Sequence, residues 1–319
     1  MILSPEVLTL LILDVIFMLF ALVALVLSIK IFLRWDIEAT TQEQYQLEKQ
    51  SVLTATIVKY IFAIKLPLFL FFVFTLDSIS SQLTGAMCAA GVVDATEYGT
   101  YLLILKIVNI YLFGLWLSLH YLDIHYAHLP YTRVKFEFFI IAFLFLMAEI
   151  VMEMLMFADI DIDKMVSCCG TLYSAASTSS IGEMLSIPTM TLLGLFYGSF
   201  ISMLILFWIR IKYLFALSNI IFIMTALISL IAFFGTYIYE LPTHHCPFCL
   251  LQQDYYYVGY FLYTFLFIGT FYGIRSGVME MLREENKESY RASLFFNTMY
   301  LLLVTAYPIV YFVRNGVWL

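Results

Sequence analysis

Long apolar runs separated by short polar gaps organise this chain. Eight stretches, at about 6–33, 53–78, 100–121, 136–157, 187–209, 213–238, 256–277 and 292–313, are each near or above the roughly 20 residues a helix needs to cross hydrocarbon. Strands of a membrane barrel would be about half as long and would alternate in polarity. The pattern therefore predicts an all-α bundle of about eight membrane-spanning helices. No gap is long enough to hold a soluble domain, so residues 1–319 read as a single membrane domain. The first run, starting near Glu6, exceeds the roughly 7–15 residues of a signal-peptide core and reads as a permanent span.

Composition agrees. Hydrophobic residues make up 63% of the chain and charged residues only 12%, with a mean hydropathy of +0.95. Soluble domains carry about twice that charge. The net charge of -7 excludes a nucleic-acid partner, which needs a basic surface to displace counterions, and leaves membrane lipid as the expected surround. Orientation follows from Lys and Arg, because cationic loops stay in the cytoplasm. One set of loops and helix ends holds Lys30, Arg34, Lys49, Arg133, Lys135, Arg210, Lys212, Arg275, Arg283, Lys287 and Arg291; the other holds Lys164 and Arg314. Both termini are therefore expected to be extracytoplasmic. Size and style point to a bacterial cytoplasmic (inner) membrane.

That topology puts Cys88, Cys168, Cys169, Cys246 and Cys249 in three outer loops, on the side where disulfides persist and soft metals are met. The sharpest signal is Cys246-Pro247-Phe248-Cys249, preceded by His244 and His245. A Cys-x-x-Cys spacing lets one sulfur attack a disulfide while the other resolves the mixed disulfide. The positive end of the following helix and a protonated His244 or His245 would favour thiolate. The bland alternative is a structural disulfide that ties down the loop. Cys168 and Cys169 are adjacent and so poorly placed to bridge each other; a relay to the second pair, or shared metal binding, suits them better. The Pro-Phe between Cys246 and Cys249 resembles that of glutaredoxins. The layout, with one dithiol at a helix end and another in an outer loop, resembles that of quinone-linked membrane disulfide oxidoreductases such as the vitamin K epoxide reductase family.

Metal binding competes with redox chemistry at the same place. His244, His245, Cys246, Cys249 and Cys88, with Cys168 and Cys169, offer the imidazole and thiolate ligands that suit Cu(I) or Zn(II). Met87, Met147, Met152, Met154, Met156 and Met165 collect at the same level, although methionine is also an ordinary filler of apolar helices. An odd total of five cysteines fits metal or a reactive thiol better than a fully paired framework.

Charges inside the spans form a second constellation. Asp14, Lys106, Glu149 and Glu153 fall in the outer halves of their helices, and the two glutamates, four apart, share a face. A charge in hydrocarbon costs at least about 2.5–3.5 kcal/mol, so these groups are expected to face the interior and pair. They would carry protons, line an ion path, or lock helices through a Lys106–Glu149 pair. Lys65, beside Pro67, poses the same question with no evident partner. His120, Asp123, His125 and His128 cluster where the third span ends, as metal ligands or as solvated interfacial side chains. Tyr255, Tyr256, Tyr257, Tyr260 and Tyr263 fit an interfacial belt. No phosphate loop, dinucleotide fingerprint, hydrolase serine motif or zinc-protease helix is present.

Three functions are therefore expected to compete. The first is a thiol–disulfide oxidoreductase using Cys246, Cys249 and Cys168 or Cys169, coupled to a quinone or a periplasmic redox partner. The second is capture or delivery of a soft metal such as Cu(I) for a periplasmic metalloprotein. The third is a scaffold subunit whose cysteines staple loops.

Overall fold

The structure, a computed structural model, describes residues 4–36, 38–39, 41–126, 128–161, 166, 187–284 and 287–319. Cys168, Cys169, Lys164 and Met165 lie outside the described residues. Within them every regular element is helical and no strand occurs. The elements are α1 Pro5–Arg34, α2 Gln42–Ser80, α3 Ala89–Asp94, α4 Gly99–Asp123, α5 Thr132–Asp159, α6 Thr189–Ile209, α7 Lys212–Ser229, α8 Gly235–Tyr239, α9 Val258–Met281 and α10 Lys287–Asn315. A π-turn, Leu230–Phe234, joins α7 to α8 without interrupting the rod.

Among the described residues seven helices are long and apolar enough to cross a membrane: α1, α2, α4, α5, α6, Lys212–Tyr239 and α10. The remaining expected span, 256–277, is present as α9, a helix of 24 residues. At about 1.5 Å per residue that length still covers the hydrocarbon. Its glycines and tyrosines make it less apolar than the seven. Large apolar side chains such as Val26, Leu33, Leu144 and Trp208 stand exposed on the helix exteriors, as expected where the solvent is lipid. The chain is an integral membrane protein.

Local chemistry sets several helix ends. Thr41 Oγ1 accepts from the backbone N–H of Gln44 at 3.3 Å and caps α2. Pro5 opens α1, where its missing N–H costs nothing. Asp123 bridges the α4–α5 turn: its Oδ1 accepts from the Tyr131 N–H at 2.8 Å and its Oδ2 from the Thr132 hydroxyl at 2.9 Å. Pro67 lies inside α2, which nonetheless continues to Ser80.

The chain divides into two compact units, Met1–Val166 and Ser167–Leu319. In the first, α1 packs on α2 and α5, and α4 packs on the same two helices, which closes a four-helix ring; the short α3 lies against α2 and α4. Its apolar core is centred on Phe62, whose ring stacks on Phe113 at 4.2 Å and meets Trp116 edge-on at 5.4 Å. In the second, α6 packs on α7, α7 on α9 and α9 on α10, while α10 also touches α8. Phe196, Phe222, Phe234 and Tyr300 pack ring against ring at its centre.

Candidate functional site

The Cys-Pro-Phe-Cys segment sits in the link between α8 and α9. Glu240 ends α8 in the left-handed conformation (φ 53), and the chain then turns back through His244 to a single 3-10 turn, Cys249–Leu251. Backbone bonds close this turn, from Leu251 N–H to Phe248 O at 2.9 Å and from Gln252 N–H to Cys249 O at 3.0 Å. Two tyrosine hydroxyls then pin it. Tyr239, the last residue of α8, donates to the Cys246 carbonyl, and Tyr263, on α9, donates to the Pro247 carbonyl at 2.8 Å. Gly259 lets the first turn of α9 approach closely: a Cβ there would lie 2.9 Å from the Leu250 carbonyl oxygen. The motif is thus held against the first turn of α9.

Within this turn the sulfurs of Cys246 and Cys249 lie within 4.8 Å of each other and carry no disulfide. Both are buried, at 1% and 7% relative exposure. That separation allows two outcomes, closure to a disulfide or shared ligation of a soft metal. The imidazole of His245 is anchored, with Nδ1 3.0 Å from the Ile231 carbonyl in the π-turn. A carbonyl only accepts, so Nδ1 carries a hydrogen. His244 meets the ring of Tyr239 edge-on at 4.3 Å.

The second predicted constellation condenses into a buried network inside the first unit. Lys65 Nζ donates to Asp14 Oδ1 at 2.6 Å and to Glu149 Oε1 at 3.1 Å. Lys106 Nζ donates to Glu149 Oε1 at 2.9 Å and to Glu153 Oε2 at 2.6 Å. Asn109 Nδ2 closes the group on Glu149 Oε2 at 2.5 Å and also reaches the Phe145 carbonyl. All four long helices of the unit contribute, and every member is at most 4% exposed. Phe72 lies under the Lys106 ammonium at 4.4 Å from its ring centroid. The expected Lys106–Glu149 pair is there, as one bond of five. Lys65, which the sequence left without a partner, has two.

Met156 is fully buried, and Met147 and Met154 pack against the apolar core of the first unit; Met87 is 84% exposed. Cys88 is buried and stands just ahead of α3. Asp123, besides bridging the α4–α5 turn, holds the buried Lys135 ammonium at 2.5 Å. His120 stacks on Trp116, and His125 leans on Tyr121. Tyr239, Tyr263 and the π-turn carbonyl of Ile231 were not singled out for these roles in the sequence, because tyrosine is common in the membrane interface and a π-turn leaves no residue signature. No family model matches the chain, and neither a curated protein nor a solved structure matches it.

Proposed function

We propose that the protein is a membrane thiol–disulfide oxidoreductase whose working dithiol is Cys246 and Cys249, facing the extracytoplasmic side of a bacterial cytoplasmic membrane. One observation carries this reading: the two sulfurs lie within 4.8 Å of each other on a turn anchored by Tyr239 and Tyr263. The Cys246 thiolate attacks a substrate disulfide and releases one substrate thiol. Cys249 then attacks the Cys246 sulfur and releases the second. The substrate gains two electrons and two protons, and the enzyme is left as the Cys246–Cys249 disulfide. Run in reverse, the Cys246–Cys249 disulfide takes two electrons and two protons from a substrate dithiol, which becomes a disulfide, and the reduced pair passes them to a quinone, which becomes the quinol. Cys168 or Cys169 would relay exchange to a periplasmic partner.

Alkylation of intact cells before and after reduction, read by mass, tests the assignment. Two additional alkyl groups after reduction, lost in Cys246→Ser and in Cys249→Ser, are expected. A pair that never forms a disulfide in cells removes the redox role.

A second reading, soft-metal binding, is favoured by the burial of both sulfurs, since a water-shielded thiolate pair suits Cu(I). His244 and His245 would complete the ligand set. Purified protein with stoichiometric copper that vanishes in Cys246→Ser supports this reading, and metal-free protein with a reversible dithiol supports the first.

A further inference from the structure

The buried network of the first unit is one positive charge short, and we propose that it holds one exchangeable proton, shared between Asp14 and Glu153. Three carboxyls, Asp14, Glu149 and Glu153, face two ammoniums, Lys65 and Lys106. With all five ionised the cluster carries one uncompensated negative charge at membrane depth. Such a charge is among the most costly features a fold can bury, and a proton is the smallest ligand that removes it.

Hydrogen-bond geometry says where that proton sits. Glu149 is a carboxylate: both of its oxygens are occupied by donors, two ammoniums on Oε1 and the Asn109 amide on Oε2. Asp14 and Glu153 each use only one oxygen, toward Lys65 and Lys106 respectively. Their other oxygens, Asp14 Oδ2 and Glu153 Oε1, are buried with no hydrogen-bond partner among the described residues, and so is Asn109 Oδ1. All three atoms are acceptors. A buried acceptor without a donor is costly to leave unmade, and a protonated carboxyl converts one of them into a donor. A cavity of about 10 Å³, lined by Lys65, Lys106, Asn109 and Glu149 among others, has room for about one water against the two ammoniums. The proton therefore has two seats in the network, Asp14 Oδ2 and Glu153 Oε1.

Infrared spectroscopy of the full chain in lipid nanodiscs at neutral pH tests this directly. Wild-type protein is expected to show one protonated-carboxyl C=O stretch that shifts on transfer to D2O. Asp14→Asn and Glu153→Gln each leave two carboxyls against two ammoniums, so each is expected to lose that band completely. A wild-type spectrum without the band overturns the proposal even if neither variant folds. A band that persists in both folded variants overturns it as well. The measurement needs no thiol chemistry, so its outcome is separate from the fate of the Cys246–Cys249 reading.

Discussion

Lys65 and Asp14 meet at 2.6 Å inside the membrane, across 51 positions of the chain and between α1 and α2. Neither side chain is more than 4% exposed, so the bond replaces water that neither group can reach.

Breaking that bond from one side is therefore expected to hurt. Lys65→Met leaves the Asp14 carboxyl buried without its donor, while Glu149 keeps Lys106 and Asn109, and removal of one partner of a buried pair typically costs about 3–5 kcal/mol. Thermal unfolding in detergent should show a clear drop in Tm for Lys65→Met. The combined Asp14→Asn, Lys65→Met protein should lose less than the sum of the two single changes, because groups in one network do not act independently. Strict additivity would mean that the two residues do not interact.

The two halves of this network differed in how far the sequence exposed them. Asp14, Lys106, Glu149 and Glu153 announced themselves, since each interrupts an apolar run and the spacing of the glutamates fixes a common face. The partner of Lys65 did not, because it depends on how α1 and α2 rotate against each other, which side-chain packing decides. The same divide holds at the thiol site. Cys246 and Cys249 are visible as a motif, whereas the tyrosines that hold their carbonyls look like any others in an interfacial belt. The helix count was legible from length and polarity, with α9 the exception in apolarity: its Gly259, Gly269 and Gly273 serve close contacts, not contact with lipid.

Removing the anchors of the Cys-Pro-Phe-Cys turn tests whether they hold it closed. Tyr239→Phe and Tyr263→Phe each keep the ring and delete one donor, leaving the carbonyl of Cys246 or Pro247 unpaired. A buried acceptor without its donor costs about 1–3 kcal/mol, and about 1.4 kcal/mol is a factor of ten in an equilibrium. Alkylation of Cys246 and Cys249 in the purified reduced protein should therefore accelerate by about tenfold in either variant. Unchanged rates would mean that the turn is held by its backbone bonds alone.

Asp123 joins two jobs in one carboxylate, as acceptor for the Tyr131 N–H and the Thr132 hydroxyl and as counter-charge for Lys135. Asp123→Asn keeps an oxygen for the Tyr131 N–H and loses the charge; Asp123→Ala loses both. Both variants are expected to lower Tm, with alanine the worse by about 1 kcal/mol, the usual net worth of a hydrogen bond. Equal losses in the two would assign the whole effect to Lys135.

Glycines on two helices of the second unit should respond to alanine in opposite directions. In α9, a Cβ on Gly269 would lie 2.9 Å from the backbone nitrogen of Asn297, and one on Gly273 would lie 2.1 Å from the side-chain amide carbon of Asn219. These two asparagines bond each other, with Asn297 Nδ2 2.9 Å from Asn219 Oδ1 and the Ser293 hydroxyl donating to the same oxygen. The pair is fully buried, so neither side chain can swing away to solvent. Gly269→Ala must push α10 backbone outward, and overpacking of this kind costs about 1–3 kcal/mol. In α6, by contrast, a Cβ on Gly194 or Gly198 would meet nothing within 4 Å. There the only change is the higher helix propensity of alanine, about 0.8–1.0 kcal/mol in its favour. Gly269→Ala and Gly273→Ala should lower Tm while Gly194→Ala and Gly198→Ala raise it, all four measured in the same detergent. A uniform rise would show that α9 and α10 are not seated as closely as the Asn219–Asn297 bond requires.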